Sequence, residues 1–324
     1  MGEARPLWGK LAMRALFFGT PEIAVPALEA LHEVAEVVGV VCQPDRPAGR
    51  GMTLRPPPVK AAAERLGLPV HQPKKIKRPP LADWVAERDV DVALVMAYGR
   101  ILPQAVLDAP RRGCMNLHAS LLPRYRGAAP INWAIARGES ETGICLMQMD
   151  AGMDTGAVLS VHRIPIGSEE TAGELADRLA ELAATAVRQD LTRAVDGQLS
   201  PQSQDEDSAT YAPMLEKKDG RIDWSLPVEK VHAHVRGMTP WPGAFTQMRG
   251  TTLKVHRCRI HGGEADAEPG TIVLADRTCV LVACGQGLLE LVSLQVPGKK
   301  AMPAGNMVLG RTVRQGDRLG TDET

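Results

Sequence analysis

Short apolar runs alternate along the first half of the chain with stretches in which apolar residues recur every three or four positions. Residues 15–18 form a compact apolar run ending at Gly19-Thr20-Pro21, after which Ile23, Ala27, Leu28 and Leu31 fall on one helical face. Residues 37–42 are a second, β-branched run, and 59–66 predict a helix stopped by Gly67. Runs at 90–97 and 114–118 predict two more buried strands with a helix over 103–108 between them. A helix over 130–137 and an extended stretch over 142–149 follow. Strands alternating with helices predict an α/β fold with a doubly wound, Rossmann-like parallel sheet. The longest helical pattern is 171–195, rich in Ala, Leu, Glu and Arg.

The pattern changes at Asp196. Residues 197–208 are polar and read as a linker. Beyond them, 227–237 predict a helix, and 244–248, 251–260, 271–274, 279–283 and 288–296 predict short strands, most of them separated by Gly or Pro. About five such strands suggest a small C-terminal OB-like β-barrel. The expected division is a doubly wound domain over 13–196, a linker over 197–213 and the OB-like domain over 214–324.

Composition narrows the class. The 324 residues are 44% hydrophobic and 23% charged, with 38 Lys plus Arg against 38 Asp plus Glu. Low hydrophobicity and high net charge, the marks of disorder, are both missing. A zero sum argues against a generally basic nucleic-acid binder, yet it does not say where the charges sit. From Cys42 to Arg78 nine basic residues (Arg46, Arg50, Arg55, Lys60, Arg65, Lys74, Lys75, Lys77, Arg78) face two acids, Asp45 and Glu64, a local excess of seven. A charge run is usually a solvated face. Gly49 and Gly51, however, let the chain around Arg50 approach a ligand closely. No run approaches the roughly 18 apolar residues of a membrane span, and residues 1–13 lack a signal-peptide pattern, so a cytoplasmic protein is expected. The six cysteines show no two-residue spacing and read as buried free thiols.

Candidate chemistry concentrates between Asn116 and Asp154. Period two puts Asn116 and His118 on one face at the end of a strand, where open α/β sheets bind ligands. An amide donor and an imidazole there suit a carbonyl reaction, one stabilising an oxyanion and the other moving a proton. The alternative is a turn-capping asparagine and a satisfied core histidine. Downstream, Asp150-Ala151-Gly152-Met153-Asp154 brings two carboxylates, either of which could orient His118 or simply form a turn. Gly19-Thr20-Pro21-Glu22 has one glycine where a dinucleotide fingerprint needs three, which excludes a nicotinamide oxidoreductase. His232/His234 and His256/Cys258 are close pairs without the further ligands a metal site needs.

Asn116-Leu117-His118, the run Ser120-Leu121-Leu122-Pro123-Arg124-Tyr125-Arg126-Gly127 and Asp154 together resemble the signature of formyltransferases that use 10-formyltetrahydrofolate. Further segments narrow the resemblance to the methionyl-tRNA formyltransferases. They are Phe18-Gly19-Thr20-Pro21, the run from Gln43 to Gly51, Ala97-Tyr98-Gly99 with Ile101-Leu102-Pro103, Met147-Gln148-Met149-Asp150, Ile222-Asp223-Trp224, and Pro297-Gly298-Lys299-Lys300-Ala301. The resemblance implies an enzyme that formylates the α-amino group of methionine on initiator tRNA, contacting the acceptor stem and 3′ end. It implies catalytic roles for Asn116, His118 and Asp154, with Asp154 preferred to Asp150. Ser120, Leu121, Leu122 and Pro123 would contact the folate, and Ile101 and Leu102 would line the pteridine pocket. Arg50 first and Arg46 second would meet the tRNA, with Lys299 and Lys300 on the C-terminal domain. No metal is required, and a monomer is expected. Residues 1–12 precede Met13, a natural start in the family, and residues 51–54 lack lysines that some relatives have.

Two other functions remain open on residues alone. A formyltransferase for an amino sugar or ribonucleotide amine would share Asn116, His118 and Asp154 but would not need the basic segment. A non-catalytic RNA-binding protein would have no use for the Asn116/His118 pair.

Overall fold

The computed structural model describes residues 13–48, 53–76, 79–264 and 266–320. It divides into two compact units, each drawn from several stretches: Met1–Gly127, Gly143–Arg163 and Asp177–Tyr211 form one, and Ala128–Thr142, Ile164–Ala176 and Ala212–Thr324 the other.

In the first unit, β1 (Arg14–Gly19), β2 (Glu36–Val41), β3 (Val70–His71), β4 (Val92–Met96), β5 (Cys114–His118), β6 (Glu141–Gln148) and β7 (Val158–Pro165) make one sheet. Their spatial order is β7-β6-β5-β4-β1-β2-β3. From β3 across to β5 the neighbours run parallel, and β6 turns antiparallel against β5. Leu16, Phe17 and Phe18 of β1 are fully buried, as befits a central strand covered on both faces. Helices α1 (Val25–Val34), α2 (Pro58–Arg65), α3 (Pro79–Ala86) and α4 (Gln104–Leu107) lie in the connections. In α1 the expected face is the buried one, with Ala27, Leu28 and Leu31 excluded from solvent. The chain leaves β1 toward β2 and β3, then returns to β4 on the other side. That reversal opens a crevice outside the carboxyl ends of β1 and β4, one strand from the end of β5.

The doubly wound expectation is thus met, with four elements the pattern did not reveal: the edge strands β3 and β7, helix α3 and a short hairpin. Strand β7 lies at the sheet edge and most of its positions are partly or fully exposed, so its sequence offers no continuous apolar run. A short hairpin, Arg46–Ala48 against Thr53–Arg55, lies inside the basic segment. The helix expected over 171–195 forms as Ala172–Ala186, a widened π-turn at Val187–Leu191 and Thr192–Val195. The widened turn carries Asp190, which accepts His162 Nε2 at 2.7 Å.

The second unit holds α5 (Pro130–Ala136) and α6 (Val228–Gly237) and an antiparallel sheet. Its strands are β8 (Phe245–Met248), β9 (Thr251–His261), β10 (Ile272–Ala275), β11 (Val280–Ala283) and β12 (Leu288–Gln295), with β13 (Met302–Pro303) on β12. The path β8-β9-β12-β11-β10 is an antiparallel half-barrel, where an OB-like barrel was expected after the polar stretch. Leu253, Val255, Val282, Leu289 and Leu294 pack there with Val231 and Val235 of α6. All six cysteines are free, five of them buried. Among the described residues no helix is long and apolar enough to cross a membrane.

Because Phe17 is fully enclosed at the centre of the sheet, truncation leaves a cavity that the flanking strands cannot close. Phe17→Ala is expected to lower stability by about 3–5 kcal/mol, read as a fall in the urea midpoint.

Candidate active site

Strand β5 delivers Asn116 and His118 to the crevice because alternate residues share a face, while Leu117 between them is buried. His118 stands opposite Cys145 in the β5–β6 register. Burial pushes the Cys145 thiol up to about 11, so it stays protonated at neutral pH and offers no nucleophile.

The imidazole of His118 is held from both sides. Its Nε2 lies 2.9 Å from the carbonyl oxygen of Tyr125. A carbonyl only accepts, so Nε2 carries the proton and Nδ1 faces Asp154. Asp154 Oδ2 is 3.6 Å from that nitrogen, beyond a hydrogen bond but within ion-pair range. The other carboxylate oxygen, Oδ1, lies 3.4 Å from Asn116 Nδ2. An amide, an imidazole and a carboxylate therefore converge at the end of one strand. Asp154 is in the left-handed region with φ 55°, which aspartate tolerates better than most residues. Its Oδ2 also accepts the Gly127 amide at 2.8 Å.

The two aspartates of the loop are now distinguishable. Asp150 turns its Oδ1 to Gly152 N at 3.0 Å and Thr155 Oγ1 at 2.7 Å, closing the turn. Asp154 reaches the strand.

The loop after β5 forms a mixed wall. Ser120 is buried, and its hydroxyl donates to Arg124 O at 2.6 Å. Leu121, Leu122 and Pro123 are half-buried beside it. Ile101 is 78% exposed, whereas Leu102, at 4%, belongs to the core with Val106 and Tyr98. The pair expected to line one pocket is therefore split between surface and core.

Family comparison adds what geometry alone cannot. A formyl transferase family model matches residues 13–191, and a model of the formyl transferase C-terminal domain matches 214–312. A methionyl-tRNA formyltransferase from Sorangium cellulosum is 61% identical over 95% of this chain and all of its own. The chain belongs to the methionyl-tRNA formyltransferase family. Two solved structures share its fold at low identity. A methionyl-tRNA formyltransferase from Clostridium thermocellum has TM-score 0.53 and 17% identity, covering 84% of this chain and 100% of its own. An N-formyltransferase from Helicobacter canadensis, in complex with folinic acid and dTDP-3-aminofucose, has TM-score 0.66 and 16% identity, covering 86% and 98%.

Within this formyltransferase the basic segment has a defined base. Arg46 is exposed and stands opposite Arg55 in the hairpin. Asp45, just before it, accepts Lys60 Nζ at 2.8 Å and Gln72 Nε2 at 2.7 Å, and these bonds hold its carboxyl below the ordinary range. Lys60 is thereby committed to the protein, and Arg65 pairs with Glu29. Arg50 lies outside the described residues. Lys299 and Lys300 are exposed in the turn between β12 and β13.

Four contributors had no signal in the sequence. The Tyr125 carbonyl and the Gly127 amide are backbone groups, and Gln204 and Glu206 come from the polar stretch expected to be a linker. Glu206 clamps the fully buried Arg126 through both oxygens, at 2.7 and 2.8 Å. Arg126 in turn holds the Glu206 carboxyl below its ordinary value of 4.5. A depressed folded-state pKa stabilises above the unfolded value, and the gain is lost as pH falls through the lower folded value. Glu206→Gln is therefore expected to be less stable than the parent at neutral pH. The gap in urea midpoints should narrow as pH falls below the unfolded value and close once the Glu206 carboxyl is protonated in the folded state as well.

Proposed function

We propose that the chain transfers the formyl group of 10-formyltetrahydrofolate to the free α-amino group of methionine on initiator tRNA, giving N-formylmethionyl-tRNA for translation initiation. The observation that carries this is the convergence of Asn116 and His118 on Asp154, at 3.4 and 3.6 Å from its carboxylate. The donor set fits a formyl carbonyl: an N–H beside the forming oxyanion and an imidazole nitrogen free to exchange a proton. Bound beside residues 120–123, the folate supplies the formyl carbon and takes up a proton at the nitrogen it releases. As the amine attacks and the new C–N bond forms, Asn116 Nδ2 donates to the oxygen that gains charge. His118 Nδ1 accepts the proton lost by the amine and returns it to the departing folate nitrogen as the old C–N bond breaks. Asp154 keeps the ring oriented and balances the charge it acquires.

In the proposed division of labour, the domain over 13–196 performs the chemistry and 214–324 meets the acceptor stem through backbone charge and shape. Arg50 and Arg46 reach the 3′ end, and Lys299 and Lys300 are the contacts on the C-terminal side. The enzyme acts as a cytoplasmic monomer without a metal. The local excess of basic residues from Cys42 to Arg78 favours this substrate over an amino sugar.

Formylation of methionyl-tRNA with 10-formyltetrahydrofolate tests it directly. His118→Ala is expected to lower kcat by about 10²–10⁴-fold and Asn116→Ala by about 10²–10³-fold. Arg50→Ala and Arg46→Ala should raise KM for tRNA, by a factor that shrinks as salt rises because one phosphate contact fewer flattens the salt dependence, with folate binding nearly intact. Formylation of an amino sugar but no aminoacyl-tRNA by the parent protein would overturn the proposal, and full rate in Asp154→Asn would overturn the role of that carboxylate.

A further inference from the structure

One side chain of the polar stretch 197–211 makes three hydrogen bonds through a single amide. Gln204 Nε2 donates to Asp154 O at 2.8 Å and to Gly156 O at 2.7 Å. Its Oε1 accepts Arg126 Nε at 3.0 Å. Between residues 201 and 208 it is the one position withdrawn from solvent, while its neighbours on both sides are exposed. The segment that composition marks as a linker therefore sends one amide inward, and both of that amide's N–H bonds end on the loop bearing Asp154.

That loop needs holding. Asp154 has a side chain and a positive φ of 55°, a conformation that persists only where the surroundings fix it. Gln204 fixes its carbonyl, and Gly127 N fixes its carboxylate. The Gly127 amide is itself placed by the same segment. Arg126, one residue before it, is bonded by Gln204 and Glu206. Thr210 takes the amides of Tyr125 and Arg126, each at 2.9 Å, and the Tyr125 carbonyl is the partner of His118. A single strap thus grips both the loop that supplies the carboxylate and the loop that orients the imidazole. Gln204 is the residue common to the two.

We infer that Gln204 is a positioning residue for formyl transfer, setting Asp154 and, through Arg126, the Tyr125–Gly127 turn in the arrangement that presents His118. The inference rests on the function proposed above. A glutamine is required because the Asp154 and Gly156 carbonyls need donors while Arg126 needs an acceptor. Glutamate at this position keeps the bond from Arg126 but loses both donations and sets a carboxylate against two carbonyl oxygens. Leucine removes all three bonds at similar volume.

The test is steady-state formylation of methionyl-tRNA by the full chain carrying Gln204→Glu or Gln204→Leu, with far-UV circular dichroism and a melting curve for each variant. The expected result is a fall in kcat of about 10–100-fold, as for loss of a group that orients a reacting one. KM for tRNA and folate should stay within about twofold, because no substrate contact is removed. A merely structural role would not predict the second result. In a double-mutant cycle, Asp154→Asn with Gln204→Glu should be no slower than Asp154→Asn alone, since glutamate keeps the bond to Arg126 and the donations it loses act on the Asp154 loop. Three outcomes overturn the inference: an unchanged kcat in Gln204→Glu, losses that multiply in the double mutant, or a kcat deficit that vanishes once rates are corrected for the folded fraction. Failure of the parent protein to formylate methionyl-tRNA removes the proposed function and this inference together, whereas parent turnover with unimpaired Gln204 variants removes the inference alone.

Discussion

Asp154 has to present a carboxylate to an asparagine and a histidine from a backbone conformation that side-chain-bearing residues adopt only at a cost. Neither the charge nor the conformation sustains itself. At 18% side-chain exposure the carboxylate has lost much of its water, so it needs donors from the protein. It gets one from the Gly127 amide, at a residue whose φ of 116° suits glycine alone. Placing that amide fixes the residue before it, and Arg126 has no exposed surface at all. A buried guanidinium must be paired, which brings in Glu206 and Gln204. Each requirement creates the next, and the sequence of needs runs from the Asp154 carboxylate to a stretch of chain about fifty residues further on.

The same rule of local pairing explains how a protein of zero net charge can hold a strongly basic segment. Lys60 and Gln72 secure Asp45 at the foot of the hairpin, so part of the positive charge serves the fold. What remains includes Arg46 and Arg55, directly opposed across two short strands. Like charges in that position repel, and a phosphate backbone laid against them removes the repulsion. The hairpin thus carries an electrostatic cost that, under the proposed function, the phosphates of the tRNA would relieve. Total charge is silent on this because it averages the segment against acids elsewhere.

Those cases also mark what the amino-acid sequence alone discloses. Buried strands announce themselves by apolar runs and exposed helices by period, so β1, β2, β4 and β5 were legible to within a residue or two, and α1 by its buried face. So were Asn116 and His118, because alternation alone puts them on one face. Strand β7 was not, since an edge strand has little apolar content to display. The choice between Asp150 and Asp154 could not be made from spacing, because both suit a turn. It follows from which of them faces the strand. The greater gap concerns residues 197–211. Polarity there reads as freedom from the fold, yet a polar side chain can be polar because it must bond to a loop, and only its partners tell the two apart. The Tyr125 carbonyl and Gly127 amide were invisible for a simpler reason: every residue has such groups, and only the fold makes these two functional.

The site itself does not distinguish one amine from another. In the proposed mechanism an oxyanion donor, a proton-exchanging imidazole and a carboxylate behind it serve formyl transfer whatever carries the nitrogen, and nothing in their geometry measures the size of the acceptor. Selection must then lie in groups that touch the acceptor away from the reacting atoms. An amino-sugar nucleotide ends its charge within two phosphates, which a few fixed donors can satisfy. A tRNA extends a line of phosphates beyond the crevice, and it is met by charge that projects on a hairpin and is backed by a firmly anchored base. In this chain Asp45, Lys60 and Gln72 supply the anchorage, and Arg46 and Arg55 supply the projecting charge. The chemistry is general, so under the proposed function it is the anchored hairpin that would suit the chain to a nucleic-acid acceptor.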